Sequence, residues 1–312
     1  MELIKPGTKI DFIGKRRYAY IFSMILILIS ITSLFFHKGL NYGIDFAGGS
    51  LIQVKFNKTV DIEEVKDVLL EMGLEDAIVQ NFTGGDANEY IIRVVKTDMD
   101  ITTLSEKVKD QLSKRFGVGS VELRREEMVG PKVGEDLKKK GLYAVILAIV
   151  GILIYVAVRF EFRYAIGAVC ALVHDALITL GVFSLMNLEV SLPIIAAILT
   201  VIGYSINDTI VVFDRIRENM RKARKTPEGE VMNQSINETL SRTFMTSGLT
   251  LLAVLALFFL GGGVIHDFAF ALIIGIVIGT YSSIYVASPV VLIWNKLFPQ
   301  KSQVQKGKKR KR

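Results

Sequence analysis

YAYIFSMILILISITSLFF, residues 18–36, carries no charged side chain from end to end. A run of this length is what one helix needs to cross about 30 Å of hydrocarbon. A helix is also the form in which each backbone polar group is satisfied without water. Five more stretches read the same way: Leu142 to Val158, Tyr164 to Met186, Ser191 to Phe213, Thr243 to Leu260 and Phe268 to Trp294. The composition agrees, since 51% of the 312 residues are hydrophobic and the mean hydropathy is +0.41, well above the range of ordinary water-soluble domains. Lys15, Arg16 and Arg17 precede the first stretch as they would in a signal peptide. However, Phe35-Phe36-His37-Lys38-Gly39-Leu40 offers no small-x-small cleavage site, so the segment reads as an uncleaved anchor.

Charge in the short loops sets the expected orientation, because Lys and Arg close to helix ends are held on the cytoplasmic side. The N-terminus has Lys15, Arg16 and Arg17, the second-third loop Arg159 and Arg163, and the fourth-fifth loop Arg215, Arg217, Arg221, Lys222, Arg224 and Lys225. The loops Asn187 to Val190 and Gly261 to Asp267 have no Lys or Arg. All of them fit six spans with both termini in the cytoplasm. Residues 1–17 form the cytoplasmic N-terminus, 18–36 the first span, 37–141 an extracytoplasmic domain, 142–294 the remaining bundle and 295–312 a basic cytoplasmic tail. That tail ends in KGKKRKR, Lys306 to Arg312, a composition that suits nucleic acid, a ribosome or anionic lipid headgroups. The positive-inside rule explains it without a nucleic-acid partner, and the same rule explains much of the net charge of +7.

The segment between the first two spans is too long and too patterned for a loop. Strand patterns at Ser50 to Phe56, Ala77 to Phe82, Glu89 to Val95 and Val118 to Met128 alternate with helical patterns at Asp61 to Met72 and Ile101 to Phe116, with a turn at Gly84-Gly85-Asp86. The order βαββαβ predicts a ferredoxin-like α+β domain. The expected fold is thus a membrane all-α bundle of six transmembrane helices with an inserted ferredoxin-like βαββαβ domain. Two phrases flank this domain: NYGIDFAGG, with Gly43, Asp45, Gly48 and Gly49, and VGPKVG, with Gly130, Pro131 and Gly134. Their glycines permit positive φ and close backbone approach, and Asp45 can accept bonds from backbone amides. They read either as stiff, shaped hinges between domain and bundle or as plain exit linkers.

Ionisable groups inside the spans carry the functional signal, since each costs roughly 2.5 to 3.5 kcal/mol at a helix centre. Asn207 and Asp208 lie in the fourth span, Arg242 opens the fifth and Thr246 and Ser247 follow, and His174 and Asp175 lie in the third. Arg242 and Thr246 share a helix face. Packed against the fourth span, that face would bring Asp208, Arg242 and Thr246 together in the cytoplasmic half of the bundle. A carboxylate between desolvation and a movable arginine is a proton switch; the plainer alternative is a static ion pair. His174 and Asp175 read as a second relay station, or Asp175 as a bond to a neighbouring helix. Gly275 and Gly279 form a GxxxG, read as close packing.

Cys170 stands alone, His37, His174 and His266 have no metal-ligand spacing, and no HExxH, Walker A or GxSxG motif occurs. No enzyme, metal or cofactor is expected. NYGIDFAGG at 41–49, VGPKVG at 129–134, GYSINDTIVVFDRIREN at 203–219, Arg242-Thr243 through Ser247-Gly248 and IGTYSSIYVASP at 278–289 together resemble the SecF branch of the SecD/SecF protein-export family, part of the RND superfamily. The resemblance covers nearly the whole chain. It implies an auxiliary subunit of Sec translocation in the bacterial inner membrane that couples the proton motive force to the late stage of preprotein export. The implied coupling ion is the proton. The implied partners are SecD, the SecYEG channel with SecA, YajC and YidC, the translocating preprotein and membrane lipids. It also implies that Asp208, Arg242 and Thr246 occupy the family's proton-pathway positions. Two other classes remain: a small-molecule RND exporter, which would need two repeats or a dimer, and a structural scaffold for a channel.

Overall fold

The computed structural model describes residues 7–75, 77–82, 88–94, 100–223 and 226–298. The expected turn at Gly84-Gly85-Asp86, the strand end at Val95, the loop charges Arg224 and Lys225, residues 1–6 and residues 299–312 with the basic tail lie outside the described residues. Among the described residues, six helices are long and apolar enough to cross a membrane. They are α1 (Arg16–Phe36), α5 (Pro131–Arg159), α6 (Phe162–Leu185), α7 (Leu192–Lys222), α8 (Glu228–Leu260) and a last one running from α9 (Gly263–Ser282) through a π-helical turn (Ser283–Ala287) into α10 (Ser288–Leu297).

Several helices outrun their apolar stretches. Helix α5 starts at Pro131 rather than near Leu142, so the expected 141/142 boundary falls inside it; α7 continues past Phe213 to Lys222, and α8 begins at Glu228 rather than Thr243. The extensions of α7 and α8 are rich in helix-forming Arg, Lys and Glu, and ion pairs brace them. Glu218 binds Arg215 at 2.8 Å and Lys222 at 2.6 Å along α7, and Arg215 crosses to Glu238 on α8. Residues 7–15 fold back onto α8: Asn233 Oδ1 accepts from the Phe12 and Ile13 amides at 2.8 and 3.1 Å, and Asn237 Oδ1 accepts from the Ile10 amide at 2.8 Å.

Helices α6, α7 and α9–α10 form the centre of the bundle, with half or more of their apolar windows buried; α1, α5 and α8 are peripheral, with a quarter or less buried. Small residues set the closest contacts. A Cβ on Gly275 would lie 2.0 Å from Val201 Cγ2 and one on Gly279 would lie 3.1 Å from Ser205 Cβ, so the GxxxG lets α9 approach α7 closely. A Cβ on Gly181 would meet Ser30 Oγ at 2.0 Å, and Ser33 and Ser184 hydroxyls lie 2.9 Å apart, joining α1 to α6 in the same way.

Between α1 and α5 come β1 (Asn41–Tyr42), α2 (Ile44–Ala47), β2 (Gly49–Phe56), α3 (Ile62–Glu71), β3 (Ile78–Asn81), β4 (Glu89–Val94), α4 (Ile101–Phe116) and β5 (Val121–Val129). The last four strands form one antiparallel sheet in the order β3-β4-β2-β5. Asp61 caps α3 by accepting from the Glu63 amide at 2.9 Å, and Asp100 caps α4 from the Thr102 amide at 3.3 Å. The core is Ile52, Val54, Phe56 and Ile92 from the sheet against Val65, Leu69, Leu104, Val108 and Leu112 from the helices. A sixth strand, β6 (Glu189–Val190), sits between α6 and α7 and pairs in parallel with β1. The end of α1 and the start of α7 are thereby tied together.

Candidate functional site

Helix α7 turns Ile194, Ala197, Ile198, Val201 and Ile202 inward, and the same face continues as Ser205, Asp208 and Thr209. Asp208 is 3% exposed. Ser247 Oγ of α8 donates to its Oδ2 at 3.1 Å. Thr246 Oγ1 lies at the outer limit from Oδ1, 3.5 Å, and has closer acceptors in its own helix: the carbonyls of Arg242 at 3.1 Å and Thr243 at 3.0 Å. One hydroxyl proton serves one strong bond, so Ser247 is the principal donor. Thr280 Oγ1 of α9 lies 2.8 Å from Ser247 Oγ and extends the chain of hydroxyls.

Of the residues expected at this place, Asp208 and Thr246 meet. The static ion pair with Arg242, the plainer alternative, is not formed: Arg242 is exposed, and its carbonyl rather than its guanidinium faces Thr246. Arg242 is the last charged residue before the apolar stretch Thr243 to Leu260 of α8, where a long side chain can carry its head toward the charged half of the helix. Asn207 is also exposed.

His174 and Asp175 are brought into a second buried cluster. Asp175 is 1% and His174 4% exposed. Ser205 of α7 and Ser282 of α9 donate to Asp175 Oδ2 at 2.6 and 2.7 Å, so Asp175 does bond neighbouring helices. Ser23, Ser205, Thr280 and Ser282 escaped the sequence reading because a lone hydroxyl in an apolar span carries little signal. The run Thr280-Tyr281-Ser282-Ser283, beside the π-helical turn, was the legible clue.

The two glycine phrases pack on each other where the sheet domain meets the bundle. Gly48 has φ 74 and ψ 174, a region only glycine occupies comfortably. A Cβ there would lie 2.8 Å from Pro131 Cα, and one on Gly134 would lie 3.0 Å from the Gly48 amide nitrogen. Gly49 has φ 114. Asp45 Oδ2 accepts from the Leu192 amide at 2.7 Å and so caps α7 from a distant segment. A Cβ on Gly43 would meet Glu189 Oε1 at 2.1 Å. Gly48→Ala is expected to destabilise the chain by about 2 kcal/mol or more through strain and clash together. Gly130→Ala, at φ -66 with no neighbour within 4 Å of the new methyl, is expected to stay within about 0.5 kcal/mol. Thermal unfolding of the two purified variants in one detergent checks the contrast.

A second link crosses the same seam. Arg93 of β4 reaches Glu189 of β6 at 3.3 Å and donates to Gln80 Oε1 at 2.6 Å. Burial holds the Glu189 carboxyl above the ordinary glutamate range, against the pull of Arg93, while Asp45 and Asp267 push the same way as burial. Sequence reading had singled out neither Arg93 nor Glu189.

Comparison with known proteins converges on one family. The profile "Protein export membrane protein SecD/SecF, C-terminal" matches residues 107–297, and "SecD/SecF GG Motif" matches residues 33–60. The chain is 50% identical over 296 residues to a protein translocase subunit SecF of Magnetococcus marinus, covering 94% of each. It is 49% identical over 292 residues to that of Vibrio alginolyticus, covering 93% of this chain and 91% of the relative. Among solved structures, crystal SecDF from Thermus thermophilus, a translocon-associated membrane protein, aligns with TM-score 0.84 and 39% identity over 93% of this chain. SecDF in a super-membrane-facing form aligns with TM-score 0.69 and 39% identity over 99% of this chain. The chain spans 39% and 41% of the lengths of those two SecDF chains.

Proposed function

Because this chain belongs to the SecD/SecF protein-export family, we propose that it is a non-enzymatic auxiliary subunit of Sec translocation. It works with a SecD partner to couple the proton motive force to the late stage of preprotein export. One observation carries this reading: Asp208 is buried at 3% exposure and held by hydroxyls, while Arg242, the cation one turn from Thr246, sits exposed. A carboxylate so placed can take a proton as a neutral acid, and on releasing it can draw the guanidinium inward. Protons are the coupling ion, and Asp208, Arg242 and Thr246, with Ser247 added, form the pathway.

On this reading the bundle lies in the bacterial inner membrane with both termini cytoplasmic. The sheet domain is ferredoxin-like and extracytoplasmic, a reading favoured by its strand order β3-β4-β2-β5. The glycine phrases make its junction a shaped hinge. The chain spans two fifths of each SecDF relative and its curated relatives are named as SecF subunits, which together favour a SecD partner. SecYEG with SecA, YajC and YidC, the preprotein and membrane lipids complete the proposed surroundings.

The test uses inverted membrane vesicles containing the whole export machinery, with this chain present or depleted, and scores protease protection of a preprotein with and without an imposed proton gradient. The gradient is expected to raise completed translocation only when the chain is present. An equal gradient-dependent rise in depleted vesicles would overturn the proposal.

A further inference from the structure

Asp175 is the least exposed charged residue among those described, and its surroundings determine where protons must sit. The Tyr281 hydroxyl donates to the Ala19 carbonyl at 2.8 Å, so in its 3.0 Å contact with Ser23 Oγ it is the acceptor. Ser23 thereby gives its only hydroxyl proton to Tyr281. In its 3.1 Å contact with His174 Nε2, Ser23 Oγ must then accept, so Nε2 bears a hydrogen. In a neutral imidazole with Nε2 protonated, Nδ1 is a bare acceptor. Yet Nδ1 lies 2.9 Å from Asp175 Oδ1, and two acceptors do not approach so closely without a hydrogen between them. The other Asp175 oxygen is occupied as an acceptor by Ser205 and Ser282.

We infer that His174 and Asp175 share one proton across the Nδ1 to Oδ1 contact, making the pair a second protonation station in the bundle, joined to Asp208 through α7 and α9. The proton belongs either to the carboxyl, as a neutral acid beside a neutral imidazole, or to the ring, as an imidazolium beside a carboxylate. Either way the pair is electrically neutral, which avoids the cost of a lone charge in the membrane. Ser205 lies one turn from Asp208 on α7, and Ser282 lies two residues from Thr280, which leads through Ser247 to Asp208. Asp175 thus bonds α7 and α9 directly, and Asp208 reaches α9 from α7 through Ser247 of α8. Loss of the shared proton leaves a net charge facing Ser205 and Ser282, and the α7–α9 contact that places Asp208 responds. Among the described residues, the titratable groups bonded or stacked within this cluster are His174 on α6 and Tyr281 on α9, whose ring stacks on His174 at 6.0 Å; α1 and α7 present the hydroxyls of Ser23 and Ser205.

Asp175→Asn is a clean test because the amide can reproduce every bond without the proton. Its oxygen accepts from Ser205 and Ser282, and its NH2 donates to the bare Nδ1. The chain is examined in its complex in lipid. Infrared difference spectroscopy looks for a protonated carboxyl, and nitrogen NMR of labelled histidine looks for a ring protonated on both nitrogens. The wild type is expected to show one or the other at neutral pH, and Asp175→Asn is expected to lose it and leave an Nε2–H imidazole. A wild-type spectrum with an ionised carboxylate beside a singly protonated ring would overturn the inference.

The coupling to Asp208 rests on the proton reading of that residue, so vesicle export is measured across pH for Asp175→Asn and Asp208→Asn in parallel. Asp175→Asn is expected to shift the pH profile of the gradient-dependent increment. An unshifted profile, with Asp208→Asn inactive, would overturn the station's role alone. An intact increment in Asp208→Asn would overturn the reading of Asp208 and leave the spectroscopic result standing.

Discussion

Asp208→Asn is expected to abolish the gradient-dependent part of preprotein translocation while the chain still folds and assembles. The asparagine oxygen can accept from Ser247, which stands 3.1 Å from the present carboxylate, and the amide can donate toward Thr246 Oγ1, whose lone pairs are free because its proton goes to its own helix. The exchange of one acceptor for one donor costs about 1 kcal/mol. A chain of this size then loses no more than about 4 °C in thermal midpoint. The titratable group is lost entirely, so the proposed function predicts vesicles in which an imposed gradient no longer raises protease protection above its gradient-free level. Asp208→Glu keeps the proton site but adds a methylene at a position 3% exposed, and should retain a reduced increment. Full activity of Asp208→Asn, with normal accumulation, would leave the structural-scaffold alternative in its place.

Much of the bundle was legible because hydrocarbon imposes a length and a composition on each span, and six runs met both. Helix ends were less legible. The charged residues after Phe213 and before Thr243 read as loop by hydropathy, yet they continue α7 and α8 because Glu218, Arg215, Lys222 and Glu238 pair with one another once the helices lie side by side. The sheet domain's strands and helices stood out through their two periods, whereas the register shift between β2 and β5, where Gln53 faces Arg125 and Val54 faces Leu123, left no mark in the pattern.

At the candidate site, the meeting of Asp208 with Thr246 followed from helix pitch once the fourth and fifth spans were taken to pack together. The prominence of Ser247 did not, since one residue around a helix turns a side chain by about 100° and only packing decides which neighbour faces the carboxylate. The serines bonded to Asp175 come from two other helices, Ser205 of α7 and Ser282 of α9, and Ser23 of α1 bonds its neighbour His174. No spacing rule could have assembled them. The seam pair Arg93 and Glu189 was hidden for a related reason: each reads locally as a charge at an exposed position, and burial appears only when the domain lies on the bundle.

Arg93→Met is expected to be the most damaging change at that seam, costing about 3 kcal/mol at neutral pH. Removing one member of a buried pair strands the other charge, a loss of about 3 to 5 kcal/mol in well-buried cases. The lower figure applies because the Glu189 side chain remains 18% exposed. The pH dependence follows from the direction of the Glu189 shift. Burial first, with Asp45 and Asp267, holds its carboxyl above the ordinary value, and Arg93 with the Ile44 amide pulls down without prevailing. A carboxyl raised in the docked state binds a proton more tightly there than in water. Its contribution to docking is therefore fully present below the ordinary glutamate value and is lost as pH rises through the raised one.

Docking of the sheet domain should accordingly strengthen on acidification. Without Arg93 the raised value climbs further, so the variant should be weakest at neutral pH and recover steeply as Glu189 takes up a proton. Spin labels at the half-exposed Lys66 of α3 and the exposed Leu185 at the end of α6 give the docked fraction at each pH. Glu189→Gln should flatten the profile, and the Arg93→Met, Glu189→Gln double variant should regain most of the docking lost in Arg93→Met, since neither partner then buries a charge. An Arg93→Met chain whose docking is pH-independent and equal to wild type would show that the pair does not hold the seam. The glycine junction, with Gly48 against Pro131 and Gly134 against the Gly48 amide, would then have to hold the domain by shape alone.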